Sequence, residues 1–239
     1  MKAAFTAGVL ALAIVVVGAP LRGEDKKLEA HPEATKLLAD ARAARDQWRD
    51  FPGFKADLTV NLDGKLHKGK LSVTPKGKVE LALEDKAAEA WANRMLRSLV
   101  DHRLDNSAAL DTPCAFADDD KHHPLGRAIR VLNDEFHSSY RVRDRQIIVV
   151  NRQMRDFRFT ITVLENMRNA EKQFLPTCFV VNAWDLKTDA LRSSETFHHT
   201  WKRVGKYDLP LSLLVVAASA GKLEARSLTV SNHELLSGH

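Results

Sequence analysis

The sequence predicts an α+β protein: a large, strongly curved antiparallel β-sheet, an incomplete barrel built as a meander and covered by two or more helices. Three observations lead to this fold class. Two segments carry apolar residues at helical spacing, about ten others alternate or cluster apolar residues as strands do, and short turns rich in Gly, Asp, Asn and Pro separate them. Strands joined by short turns pair antiparallel, and a sheet of this many strands curls rather than staying flat.

Residues 1–23 precede this pattern and have the composition of a secretory signal peptide. Lys2 is followed by an apolar run over 3–18, and small residues lead to a charged stretch that starts at Glu24. The run is shorter than the roughly 20 apolar residues of a membrane-spanning helix, and no Cys follows it to carry a lipid. We expect cleavage after Gly23, the alternative being an uncleaved anchor. The mature chain, 24–239, is then expected to be one domain, exported to the periplasm or the cell exterior and not membrane-anchored.

Composition narrows the function classes. The net charge of +5 falls to +3 when Lys2 and Arg22 leave with the signal peptide, which is too mild for a dedicated nucleic-acid binder. Two cysteines remain, Cys114 and Cys178. In an oxidising compartment they either form one disulfide or stay as two separate thiols.

Two helices are expected. The first covers 32–49, where Ala34, Leu38, Ala41 and Trp48 recur on one face and Pro32 suits the first turn. The second covers about 86–103, with an apolar stripe on one face and Asp85 as its N-cap.

The strands begin directly after the first helix. Residues 54–62 alternate strictly between apolar and polar, Asp63-Gly64 is a strong hairpin signal, and the returning strand near 66–73 shifts phase at Gly69, where a bulge is expected. A third strand follows at 79–83, which completes a meander.

The C-terminal half adds the remaining strands. At 126–136 helix and hairpin compete, and Asn133-Asp134 favours the hairpin. Further strands are expected near 140–142, 147–150, 157–163, 177–184, 194–203, 207–216 and 222–231.

Four stretches of the chain resemble a known family. Residues 51–58 (FPGFKADL), 101–103 (DHR), 140–147 (YRVRDRQI) and 201–207 (WKRVGKY) are similar, in this order, to an uncharacterised domain-of-unknown-function family of cyanobacterial, plastid and planctomycete proteins. The resemblance implies the curved-sheet fold of lipoprotein-carrier-like proteins. It implies no catalytic residue, because that family has none assigned.

Several side chains are candidates for a site. Asp118, His122 and His123 are weak candidates for metal ligands, with a solvated acidic loop as the alternative. His102 and Arg103 either complement the end of the second helix or form a polar cluster at the mouth of the sheet. His199 shares a strand face with Phe197 and Trp201, which favours a hydrogen-bonded core or cavity histidine, whereas His198 is expected to be exposed on the opposite face.

A basic surface is also expected. Arg141 and Arg143 share a strand face opposite Tyr140, and Arg152 and Arg155 follow on neighbouring segments. Such a stripe on the outer sheet face would suit anionic lipid headgroups or an acidic partner. The alternative is a solvated strand face.

These observations favour a binding protein over an enzyme. No nucleophile elbow, phosphate-binding glycine loop, zinc cysteine pair or HExxH helix is present in the sequence, so we expect neither catalysis nor a cofactor. The leading hypothesis is an exported protein that binds a hydrophobic ligand, lipid or lipidated partner in the sheet concavity, with peripheral membrane contact. The alternatives are a structural or protein-interaction module with a filled core, and an uncharacterised hydrolase. Oligomeric state is left open.

Overall fold

The computed structural model describes residues 28–104 and 112–237, which contain two helices and twelve strands. The signal peptide predicted over 1–23 lies outside these residues. The elements are α1 (Pro32–Ala43), β1 (Phe54–Leu62), β2 (Lys65–Val73), β3 (Val79–Leu83), α2 (Lys86–Asp101), β4 (Cys114–Phe116), β5 (Arg127–Val131), β6 (Ser139–Arg143), β7 (Gln146–Gln153), β8 (Phe157–Arg168), β9 (Phe174–Asp185), β10 (Leu191–Val204), β11 (Tyr207–Ser219) and β12 (Lys222–Leu235).

All twelve strands form one curved antiparallel sheet that is not closed. Its order is β3-β2-β1-β12-β11-β10-β9-β8-β7-β6-β5-β4. Two meanders, β1–β3 and β4–β12, therefore join where the first strand pairs with the last, from Phe54 opposite Leu235 to Asn61 opposite Ser227. The edge strands β3 and β4 do not pair with each other, so the sheet is open. The predicted α+β fold, a large antiparallel sheet covered by helices, is confirmed.

Each helix covers a different end of the same sheet face. α2 packs on β1 and β3, and α1 packs on β4, β6 and β7. We call the first packed region the α2 core, which includes Leu58, Leu96 and Leu209. The second is the α1 core, which includes Leu38 and Ile129. The covered face is called the inner face below, and β8, β9 and β10 lie between its two cores.

Local expectations are largely confirmed near the first meander. The Asp85 carboxylate accepts a 2.8 Å hydrogen bond from the Ala88 backbone N–H and caps α2. Asp63 and Gly64 both have positive φ, as the hairpin turn requires. The prediction of a bulge at Gly69 is wrong, because β2 pairs with β1 and with β3 without a register shift.

The first helix is shorter than predicted, and this difference shapes the site. α1 ends at Ala43, and residues 44–53 form an irregular connection with turns at 44 and 49–50. Arg45 forms a parallel bridge with Phe174, and Trp48 forms one with Leu104. Trp48 also donates from Nε1 to the Asp208 carbonyl at 3.2 Å. The helical spacing of Trp48 was therefore misleading, since its burial comes from the α2 core.

In the C-terminal half the predicted hairpin over 126–136 is confirmed as β5 and the turn that follows it, with Asn133 at positive φ. The three-residue strand β4 was not predicted, because it is too short to show alternation. Neither helix of the described residues is long and apolar enough to cross a membrane.

Candidate functional site

Apolar side chains from three neighbouring strands line the inner face between the two cores. Val163, Phe179 and Phe197 lie opposite one another across β8, β9 and β10. The rings of Phe179 and Phe197 stack with centroids 4.7 Å apart and planes 6° apart. We name this set the apolar strip: Phe159, Ile161, Val163, Phe179, Val181 and Phe197. All six are only partly buried, unlike the side chains beneath the helices.

Strand pairing assigns the strip to the inner face. Phe197 lies opposite Val215, a buried residue of the α2 core. On the other side, Ile161 lies opposite Val150, which packs against the α1 core. The strip is therefore an apolar surface on the inner face that connects the two cores. Each of its side chains is partly exposed to solvent.

His199 and Trp201 continue the same face of β10, as predicted. Ring centroids lie 6.4 Å apart between Phe197 and His199, and 5.6 Å apart between His199 and Trp201. The hydrogen bond expected for His199 is absent from the described structure. Both nitrogens of its ring are buried and have no partner there. Burial, with the charge of Arg103 as a smaller cause, lowers the pKa of His199 to about 4.

Arg103 lies over Trp201 at the end of this aromatic series. Its guanidinium carbon is 5.1 Å from the Trp201 ring centroid, within cation–π range. Only 3% of the residue is exposed. Nη1 donates to the Asp46 backbone carbonyl at 3.2 Å, and Nε has no partner. Burial lowers the pKa of Arg103 to about 9, so the side chain is still protonated at neutral pH.

The carboxylate of Asp46 is the buried acid near this arginine. Asn169 Nδ2 donates to its Oδ1 at 3.0 Å, and Oδ2 is buried without a partner among the described residues. Burial raises the pKa of Asp46 to about 6, with the attraction of Arg103 opposing that shift. A second acid, Asp208, is already paired with Arg203 at 2.7 Å. Both acids attract Arg103, but neither forms an ion pair with it among the described residues.

Three arginines surround His102 in this region of the inner face, and we name Arg45, Arg103 and Arg152 the inner basic cluster. All three positive charges lie close enough to the His102 imidazole to lower its pKa. Desolvation of the imidazole is the larger cause of that shift. Arg45 donates from Nη2 to the His102 carbonyl at 3.2 Å. Arg152 donates from Nη2 to the Tyr140 hydroxyl at 3.4 Å. The sequence-predicted pair His102 and Arg103 thus lies beside arginines that the sequence did not connect with it.

The predicted basic stripe on the outer face does not form as one surface. Arg141 and Arg143 do lie on the face of β6 that points away from the Tyr140 side chain. However, Arg141 forms an ion pair with Asp118 at 2.9 Å. Arg152 belongs to the other face, because it pairs across β7 and β8 with Phe159 and reaches Tyr140. Arg155 is exposed in the turn after β7.

The acidic loop has local structural contacts. The Asp118 carboxylate pairs with Arg141, His123 Nδ1 accepts from the Leu125 N–H at 3.1 Å, and the His122 N–H donates to Asp120. No group of three or more His, Cys, Asp or Glu side chains within 28–104 and 112–237 could hold a metal ion. The weak metal prediction for Asp118, His122 and His123 has no support from this geometry.

The two cysteines are free thiols, so the disulfide alternative is not realised in this structure. Cys114 lies on β4 in the α1 core, and its thiol donates to the Thr112 carbonyl at 3.1 Å. Cys178 lies on β9, with its sulfur 3.9 Å from His198 Nε2.

The apolar surface lies between the helices rather than beneath them. Buried side chains fill the space under α1 and α2. Two surface clefts, of about 470 and 400 Å³, lie at the margins of the sheet, one beside His31 and Phe116 and the other at the turn between β11 and β12. Neither of these two clefts is lined by a residue of the apolar strip.

Comparisons with known proteins place the chain in a family. No curated protein matches the sequence. The solved structures that match include a LolA superfamily protein, NE2245 from Nitrosomonas europaea, with 9% identity, coverage of 85% of this chain and 94% of that one, and a TM-score of 0.30. The model of the family described as "Protein of unknown function (DUF3386)" matches residues 29–236. Since that match spans nearly the whole sequence, the chain belongs to the DUF3386 family.

Proposed function

We propose that this protein binds the acyl chain of a lipid on the apolar strip, after export directed by residues 1–23. The observation that carries the proposal is the strip itself: six aliphatic and aromatic side chains on the inner face, partly exposed between two packed cores. Exposed apolar surface of this kind is a common mark of a binding site.

The shape of the strip favours an acyl chain as its occupant. The strip follows cross-strand neighbours from Phe159 and Ile161 on β8 to Phe197 on β10. A flexible chain can lie along such a surface and bury apolar area at roughly 25 cal/mol per Å².

Binding of a neutral fluorescent probe tests the strip alone. We expect N-phenyl-1-naphthylamine to gain fluorescence with the purified protein and diacylglycerol to displace it. The double variant Phe179→Ser/Phe197→Ser should weaken probe binding by about tenfold or more, because both stacked rings leave the surface.

A matched substitution on the opposite strand face is the control. Val180 is next to Phe179 on β9, is partly buried to a similar extent, and points away from the strip. Val180→Ser should leave probe binding unchanged, and circular dichroism should show both variants folded. Equal loss in the two variants, or no probe binding by the native protein, would contradict the proposal and favour a protein-interaction module with packed cores.

Native mass spectrometry gives an independent readout. Protein purified from its own host should carry a bound lipid mass that the Phe179→Ser/Phe197→Ser variant lacks. A bare polypeptide in both samples would count against acyl-chain binding.

A further inference from the structure

We infer that the inner basic cluster binds the anionic headgroup of the lipid whose acyl chain lies on the apolar strip, an inference that rests on the proposed function. The ligand class is thereby an acyl lipid with a phosphate headgroup and net negative charge. Arg45 and Arg152, which are partly exposed, are the recognising residues, and the buried Arg103 adds positive charge beside them.

The first argument is the absence of an ion pair at the three guanidinium groups in the described structure, although Asp46, Asp208 and Asp134 lie near enough to attract them. Their hydrogen bonds go to uncharged oxygens: Arg45 to the His102 carbonyl, Arg103 to the Asp46 carbonyl and Arg152 to the Tyr140 hydroxyl. Within the described part of the chain none of the three forms an ion pair. Buried or half-buried cations are costly unless an anion or several hydrogen bonds compensate them.

The second argument is unused donor capacity. The Nε atoms of Arg103 and Arg152 are both buried and have no partner in the described structure. A guanidinium group presents donors in a planar fork that matches a phosphate oxygen pair. The nearby acid Asp46 attracts Arg45 and Arg103, but its carboxylate accepts from neither of them, since Oδ1 accepts from Asn169 and Oδ2 has no partner in the described structure.

The third argument is continuity between the cluster and the strip. Arg152 lies directly opposite Phe159 across β7 and β8. Arg103 lies over Trp201, which follows His199 and Phe197 on the same face. One amphipathic molecule can therefore contact both surfaces, whereas a free phosphate ion would use only the arginines.

Calorimetry with two short-chain lipids tests the headgroup separately from the acyl chain. We expect dihexanoyl phosphatidylglycerol to bind about tenfold or more tightly than dihexanoyl phosphatidylcholine, because only the first has a net negative charge for the cluster. Arg152→Gln should reduce the affinity for phosphatidylglycerol to that for phosphatidylcholine. Arg152→Lys, which keeps the charge, should retain part of the preference.

The matched control is Arg155→Gln, which removes an exposed arginine three residues away and should leave both affinities unchanged. If Arg152→Gln does not fold, Arg45→Gln provides the same test. Equal binding of the two lipids by the native protein would overturn the headgroup inference and leave acyl-chain binding intact. If neither lipid binds, the proposed function fails as well. Binding of inorganic phosphate alone, as tight as that of phosphatidylglycerol, would overturn the lipid assignment in favour of a free anion.

Discussion

His199 and Asp46 both lose hydration near Arg103, and acidification affects their contributions to stability in opposite directions. The pKa of His199 is lowered from 6.5 to about 4 in the folded protein, chiefly by burial. The unfolded chain therefore binds more protons than the folded one in that window, and the histidine destabilises the fold as pH falls through it. The pKa of Asp46 is raised from 3.8 to about 6. The folded chain binds more protons there, so this group favours the fold as pH falls.

Two variants separate these contributions, which largely cancel in the native protein. Relative to the native protein, His199→Phe should gain stability as pH falls from 6.5 to 4, by at most about 3 kcal/mol. Phe suits a site beside Phe179 and Trp201. Asp46→Asn should lose stability relative to the native protein between pH 6 and 4, by a similar upper limit of about 3 kcal/mol. Urea unfolding at a series of pH values measures both, and parallel pH profiles for all three proteins would refute the assignment.

At the scale of elements, a glycine in β2 is required by its neighbour strand rather than by its own backbone. A Cβ added at Gly69 would lie 2.1 Å from the Ala82 carbonyl oxygen of β3, and φ there is ordinary for a strand. Gly69→Ala should therefore force the edge strand away and destabilise the protein by about 2 kcal/mol or more. Ser72→Ala in the same strand is the control, with a much smaller expected loss. Thermal unfolding compares the two, and an unchanged Gly69→Ala variant would show that β3 yields without cost.

Elements with strict alternation or a turn motif were predictable from sequence, and the inner site was not. The alternation over 54–62 predicts β1, and Asn133-Asp134 predicts the turn after β5. The faces of later strands depend on bulges, such as the shift between Arg141 and Val142 that changes the pairing of β6 with β7. Because a bulge changes which residues share a face, the side occupied by Arg152 could not be read from spacing. The approach of Arg45 to Arg103 also depends on the early end of α1, which helical periodicity did not indicate.

At the scale of the whole molecule, one continuous sheet carries two separate cores. The described residues include twenty-two buried residues in the α2 core and eight in the α1 core. Strands β8 to β10 connect them through backbone pairing and the partly buried apolar strip, and among the described residues the two helices pack mainly on other strands. Such a connection couples the two regions weakly, since fully buried apolar contacts contribute most of the cooperativity of a domain and the strip is only partly buried. We therefore expect the smaller α1 core to open before the α2 core.

Matched leucine truncations test this order of opening. Leu38 in α1 and Leu96 in α2 are each 1% exposed, so either Leu→Ala change should cost about 2 to 5 kcal/mol locally. In mild urea, hydrogen exchange of Leu38→Ala should accelerate in α1 and β4 to β6 while β1 to β3 and α2 stay protected. Leu96→Ala should instead accelerate exchange throughout, because loss of the larger core leaves too little buried area to hold the sheet. Uniform acceleration in both variants would show that the uncovered strands transmit cooperativity fully, and the two cores would then be one folding unit.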